Sequence, residues 1–90
     1  MKIRIENDFE QSLLAIIDYI AADKKSAAIK FKKELQEKLS LTKNQPYMNR
    51  KSYYFKDEAY RDLIHYGYTV VYKVSEDYII VLDIFKWIDR

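Results

Sequence analysis

Cysteine is absent from this 90-residue chain, and glycine, proline and tryptophan each occur once, as does histidine. Without thiols neither a disulfide framework nor a thiolate metal site can form, and a zinc site would rest on one imidazole plus carboxylates, so no metal and no cofactor is expected. A single glycine, Gly67, cannot build a phosphate-cradling loop. Serine, histidine and aspartate occur without a nucleophile elbow, so hydrolase chemistry has no support. The start MKIRIENDFEQ has no signal-peptide core. No later run approaches the roughly 18 apolar residues of a membrane span, so a cytoplasmic protein without membrane contact is expected. A surplus of one charge is lacking too: the formal net charge is +2 with 33% charged residues. That global field is too weak to argue nucleic-acid binding, so any basic site must be local.

What the chain does have is apolar material, 49% hydrophobic and 16% aromatic with nine tyrosines. That suffices for a folded core and is too much for a disordered tail. A chain of this length supports one core, so residues 1–90 are expected to form a single domain.

Lys2 to Glu6 alternate as a short strand, after which Asn7 or Asp8 offers a side-chain oxygen to cap a helix. In DFEQSLLAIIDYIAAD, the residues Phe9, Leu13, Ile16, Ile17 and Ile20 share one helical face. The segment KKSAAIKFKKELQEKLSLTKN repeats the pattern with Ala28, Phe31, Leu35 and Leu39, with Asp23 or Ser26 as its cap. The short connection demands an antiparallel helical hairpin, and Pro46 ends the second helix. Tyr47 to Glu58 reads as a tyrosine-rich loop with room for an irregular strand. Three strands follow, at about Ala59 to His65, Tyr68 to Val74 and Tyr78 to Phe85, joined by hairpin turns. The expected class is α+β in the order β-α-α-β-β-β, with the helical hairpin packed on one face of a small, mainly antiparallel sheet.

The strand YTVVYKV poses a question, because Tyr68, Val70, Tyr72 and Val74 can face the helices while Thr69, Val71 and Lys73 line the other side. The last strand, YIIVLDIF, is apolar on both sides, Ile79, Val81 and Phe85 alternating against Tyr78, Ile80, Leu82 and Ile84. An uncovered face carrying Val71, Val81 and Phe85 is an apolar patch of the kind that marks a partner site, unless the long loop or a second copy covers it. His65 has no triad around it and reads as a hydrogen-bonded surface residue. Arg50, Lys51, Lys56, Arg61, Lys73, Lys86 and Arg90 are cations that loop and strands can gather at one edge, against the alternative of ordinary surface charge.

The opening MKIRIENDFEQSLLAIIDYIAADKKSAAIKFKKELQEKL, especially IIDYIAAD followed by SAAIKF, resembles the RelE/ParE superfamily of toxins from bacterial type II toxin–antitoxin systems. YRDLIHYGYTVVYKVSEDYIIVLDIFKW looks like that superfamily's arginine-hydrophobic segment, Gly-Tyr strand and final hydrophobic strand. The resemblance covers nearly the whole chain and implies the same element order. It implies one of two activities: poisoning of DNA gyrase by ParE-like toxins, or ribosome-dependent cleavage of messenger RNA by RelE-like nucleases. Thr69 stands where RelE-like nucleases carry an arginine after the tyrosine of the Gly-Tyr strand, and the chain ends in IFKWIDR where they place a terminal tyrosine. Both departures favour the ParE-like branch, a growth-inhibiting, plasmid-stabilising toxin without catalytic residues. If the chain is a nuclease, Arg61, His65 and Lys86 are its candidates. The resemblance further implies a cognate antitoxin as partner in a hetero-oligomer, expected on the apolar sheet face of Val71, Val81 and Phe85 and on the helical hairpin. Arg61, Lys73, Lys86, Trp87 and Arg90 are expected to meet the target.

Overall fold

A computed structural model describes residues 1–86. The order is β1 (Lys2–Ile5), α1 (Asn7–Asp23), α2 (Lys25–Asn44), β2 (Arg50–Lys51), β3 (Tyr60–His65), β4 (Tyr68–Val74) and β5 (Tyr78–Lys86). The five strands form one sheet in the order β1-β5-β4-β3-β2, with β1 parallel to β5 and the other pairs antiparallel. The α+β class and the helical hairpin on a mainly antiparallel sheet are thus as expected, with β2 as the additional edge strand inside the tyrosine-rich segment.

The helix ends differ from the sequence reading. Asn7 lies inside α1, whose N-cap is Glu6, and neither Asp23 nor Ser26 caps α2, because Lys24 serves as the C-cap of one helix and the N-cap of the next. Lys24 is extended and its N–H closes on the Ile20 carbonyl at 2.9 Å. A one-residue joint leaves no room for a separate capping residue, so the backbone closes α1 itself. Gln45 ends α2 immediately before Pro46, a residue that biases its predecessor away from helical dihedrals.

Both helices lie on one face of the sheet. Phe31, Leu35 and Leu39 of α2 and Phe9 of α1 bury their side chains against Leu63, Val70, Tyr72, Val74, Ile79, Val81 and Ile84, and Leu13, Ile16 and Ile20 pack around them. The strict alternation read for β5 fails at one place. Tyr72 pairs with Val81 but Val71 pairs with Asp83, so Leu82 is an extra residue at a register shift. An inserted residue reverses the side-chain parity beyond it. Ile84 therefore joins Ile79 and Val81 in the core, and Phe85 turns to the other face.

The tyrosine-rich segment lies against that other face. The rings of Tyr54 and Phe85 meet edge to face with centroids 5.0 Å apart, and Phe55 stacks on Tyr60 at 4.2 Å. Val71 is buried at 2% exposure and Thr69 is fully buried. The second side of YTVVYKV is therefore largely closed by the chain's own loop.

Candidate functional site

The turn between β3 and β4 fixes the first part of the site. Tyr66 and Gly67 both adopt positive φ, 49° and 79°, the geometry of a tight hairpin turn whose twist suits the strands. Positive φ is costly for tyrosine. Side-chain anchoring holds it there: the Tyr66 hydroxyl donates to Glu34 Oε1 of α2 at 2.8 Å, and its ring lies 4.8 Å from His65 and 6.0 Å from Phe31. The Glu34 carboxylate raises the Tyr66 pKa above the ordinary phenol value, chiefly through that hydrogen bond.

Two adjoining grooves flank Tyr68, the next residue but one. A space of about 400 Å³ is lined by Ile20, Ala27, Lys30, Phe31, Tyr66 and Tyr68, between the helical joint and the β3–β4 turn. A second, of about 430 Å³, runs between α1 and the end of β5, past Ala15, Ile16, Tyr19, Tyr68, Phe85 and Lys86. Their linings are mostly apolar, and Tyr19 beside them is 71% exposed. The arrangement suits a peptide that lays apolar side chains into a groove.

The second part is the tyrosine-rich segment. Asp62, 1% exposed, accepts the Tyr53 backbone N–H at 3.0 Å through Oδ2 and lies 3.5 Å from an Arg50 guanidinium nitrogen. Arg61 donates to the backbone carbonyls of Glu58 and Asn49 at 3.0 and 3.1 Å and lies 4.8 Å from the Tyr47 ring. Lys51 pairs with Glu58, which lowers the pKa of that exposed carboxyl through hydrogen bond and charge. The cations of the segment thus organise the loop and remain at its surface.

The candidate nuclease residues do not converge. His65 is hydrogen-bonded as expected but is fully buried and not at the surface, its Nε2 lying 2.9 Å from the Phe31 carbonyl on the helix-facing side of β3. A carbonyl only accepts, so Nε2 carries the proton and the imidazole is committed to the core. Burial holds the His65 pKa below its ordinary value, the favourable backbone hydrogen bond notwithstanding. Arg61 sits on the same face of β3 four residues away, about 13 Å along the strand. Lys86 is exposed on the second strand over, about 10 Å from β3.

Of the residues expected to meet a partner, Val81 is fully buried in the helix-side core, because the odd positions of β5 before the register shift face the helices. The exposed patch of Val71, Val81 and Phe85 is therefore replaced by buried valines, and Phe85 alone of the three lines a groove. Lys73 is half-buried with its ammonium 5.5 Å from the Tyr60 ring centre. Trp87 and Arg90 lie outside the described residues. Sequence reasoning missed Tyr66 and Tyr68 as groove walls; the signal available was Tyr66 itself, an aromatic at a turn position that favours asparagine or glycine.

Among the described residues no cluster of three or more histidine, cysteine or acidic side chains is placed to hold a metal. No helix among them is long and apolar enough to cross a membrane.

Comparison with known proteins bears on this architecture. Residues 3–86 match the family model described as the ParE toxin of the type II toxin-antitoxin system parDE. A solved structure described as the chromosomal ParDE TA system from P. aeruginosa superposes with a TM-score of 0.74 at 21% sequence identity, covering 96% of this chain and 95% of the other. No curated protein matches the chain by sequence.

Proposed function

The chain belongs to the ParE toxin family of type II toxin–antitoxin systems, and from that premise we propose that it inhibits growth by binding DNA gyrase in the cytoplasm and is neutralised by a cognate antitoxin. The observation that carries a contact mechanism over a catalytic one is the commitment of His65 and Arg61 to structural hydrogen bonds on one strand. Metal-free cleavage through a 2′-hydroxyl needs a base, an acid and cations around a single phosphate. A buried imidazole and a guanidinium about 13 Å apart along a strand do not supply that constellation.

The antitoxin is proposed to enter the two grooves that meet at Tyr68, as an apolar segment ordering on binding in a toxin–antitoxin hetero-oligomer. Phe85 is retained as a contact from the edge of that groove. Arg61, Lys73 and Lys86, with Trp87 and Arg90 beyond the described residues, are proposed as the surface that meets gyrase. Co-expression with the product of the neighbouring small open reading frame tests the antitoxin part. The expected result is a stable co-purified complex and restored growth. A toxin that stays monomeric and toxic beside that product contradicts it.

A further inference from the structure

Charge along this chain is unevenly placed. Residues 45–73 carry five cations against three carboxylates, one of them the buried Asp62, whereas the rest of the chain carries eleven against eleven. The positive excess therefore lies on β2, β3, β4 and the tyrosine-rich segment.

The same stretch holds exposed aromatic rings. Along Ser52 to Phe55 the side chains alternate inward and outward: Ser52 is buried and Tyr54 packs on Phe85, while Tyr53 and Phe55 are 61% and 44% exposed. The Phe55 ring is backed by Tyr60, nearly parallel at 16°, and Tyr60 is in turn flanked by the Lys73 ammonium at 5.5 Å. Tyr47, 56% exposed, is backed by the Arg61 guanidinium, which two backbone carbonyls hold in place. These rings are preorganised, because a stacked ring or a tethered guanidinium fixes their planes before any ligand arrives.

We propose that this edge of the molecule, from Tyr47 around β2 to Phe55 and Lys73, binds single-stranded nucleic acid without sequence preference. Fixed, outward-facing rings interleaved with cations are what a flexible phosphodiester with unpaired bases requires, the bases stacking on rings and the phosphates meeting lysine and arginine. A duplex cannot use the rings, since its bases already stack on each other. An acidic peptide would use the charge and leave the rings idle. Phosphate contact is shared by DNA and RNA, and nothing in stacking on a ring separates them, so the experiment carries both. The proposal goes beyond the gyrase reading and needs neither gyrase nor antitoxin.

Fluorescence anisotropy of the purified full chain with labelled oligothymidylate and oligouridylate of about 12 nucleotides tests it. A duplex and an oligoglutamate of matching length serve as competitors. Binding of either single strand is expected, competed poorly by duplex and oligoglutamate, and the stronger of the two names the source. Phe55→Ala and Tyr47→Ala should each weaken it roughly tenfold. Lys56→Glu, an exposed change without a packing role, should weaken it and lower the salt slope by about one. Lys33→Glu, exposed on the helical hairpin and outside both grooves, should leave it unchanged. Thermal midpoints of all variants separate lost folding from lost binding, and Lys56→Glu keeps the test decisive if a ring variant unfolds. Absence of binding, equal competition by oligoglutamate or duplex, or indifference to Phe55→Ala and Lys56→Glu overturns the proposal while leaving the toxin assignment standing.

Discussion

The Tyr72 hydroxyl, at the centre of the sheet, donates to the Pro46 carbonyl at 2.7 Å just beyond the end of α2. It also accepts from Asn49 Nδ2 at 3.1 Å, and that amide reaches Thr42 Oγ1 at 3.3 Å. Burial raises the Tyr72 pKa above the ordinary phenol value, so the hydroxyl stays protonated and remains a donor. One side chain therefore ties the middle of β4 to the exit of the second helix and to the start of the tyrosine-rich segment.

Tyr72→Phe removes that tie, taking the donor from the Pro46 carbonyl and leaving the Asn49 amide with Thr42 Oγ1 alone. A cost of about 1–3 kcal/mol is expected from unsatisfied buried groups. Denaturant unfolding should show a lower midpoint at an unchanged slope; a midpoint equal to that of the parent contradicts the assignment.

His65 predicts a pH dependence of stability. Its folded pKa lies below the unfolded value of about 6.5 because burial disfavours the imidazolium, so the unfolded chain binds the proton more readily. The stability it contributes is complete above the unfolded pKa and is lost as pH falls from there toward the folded pKa. Thermal melts from about pH 7.5 to about pH 5 should show a falling midpoint, with the fall reduced in His65→Phe. An identical pH profile in the variant removes His65 as the cause.

Asp62 anchors the tyrosine-rich segment through the Tyr53 N–H and Arg50. Asp62→Ala should release that segment before the rest of the fold, at a cost of about 1–3 kcal/mol. Faster hydrogen exchange at the Tyr53 amide, with β4 protection kept, is the expected signature; equal acceleration throughout would mean the carboxylate supports the whole sheet instead.

Ala27 lines the groove shared with Phe31 and Tyr68 and is only half-buried. Ala27→Glu should place a charge where the antitoxin is proposed to bury apolar side chains, weakening the complex by roughly a hundredfold or more with little change in the toxin's own stability. Undiminished affinity in a titration calorimeter would move the antitoxin elsewhere on the surface.

The fold was legible where periodicity is long and local. The faces of α1 and α2 follow from their spaced apolar residues, and β4 begins and ends at Tyr68 and Val74 as read. What periodicity could not supply was the register shift opposite Val71 and Tyr72, which depends on pairing between strands and reverses the roles of Ile84 and Phe85. The same limit left the long loop as only one of the possible covers for the open sheet face. A segment such as NRKSYYFKDEA has no repeating pattern, and its placement is set by Asp62, Phe85 and Tyr60, all distant in sequence. The grooves at Tyr68 bring together residues of both helices, the β3–β4 turn and the end of β5, a relation no single segment records.

The central claim is that this ParE-family chain acts on gyrase by contact and does not cut RNA. Purified toxin, freed of antitoxin, should be run at equal concentration on gyrase supercoiling and on ribosome-bound messenger. The account predicts loss of supercoiling, with messenger left intact. Messenger cleavage abolished by His65→Ala or Arg61→Ala in a correctly folded variant, with supercoiling untouched, would contradict it.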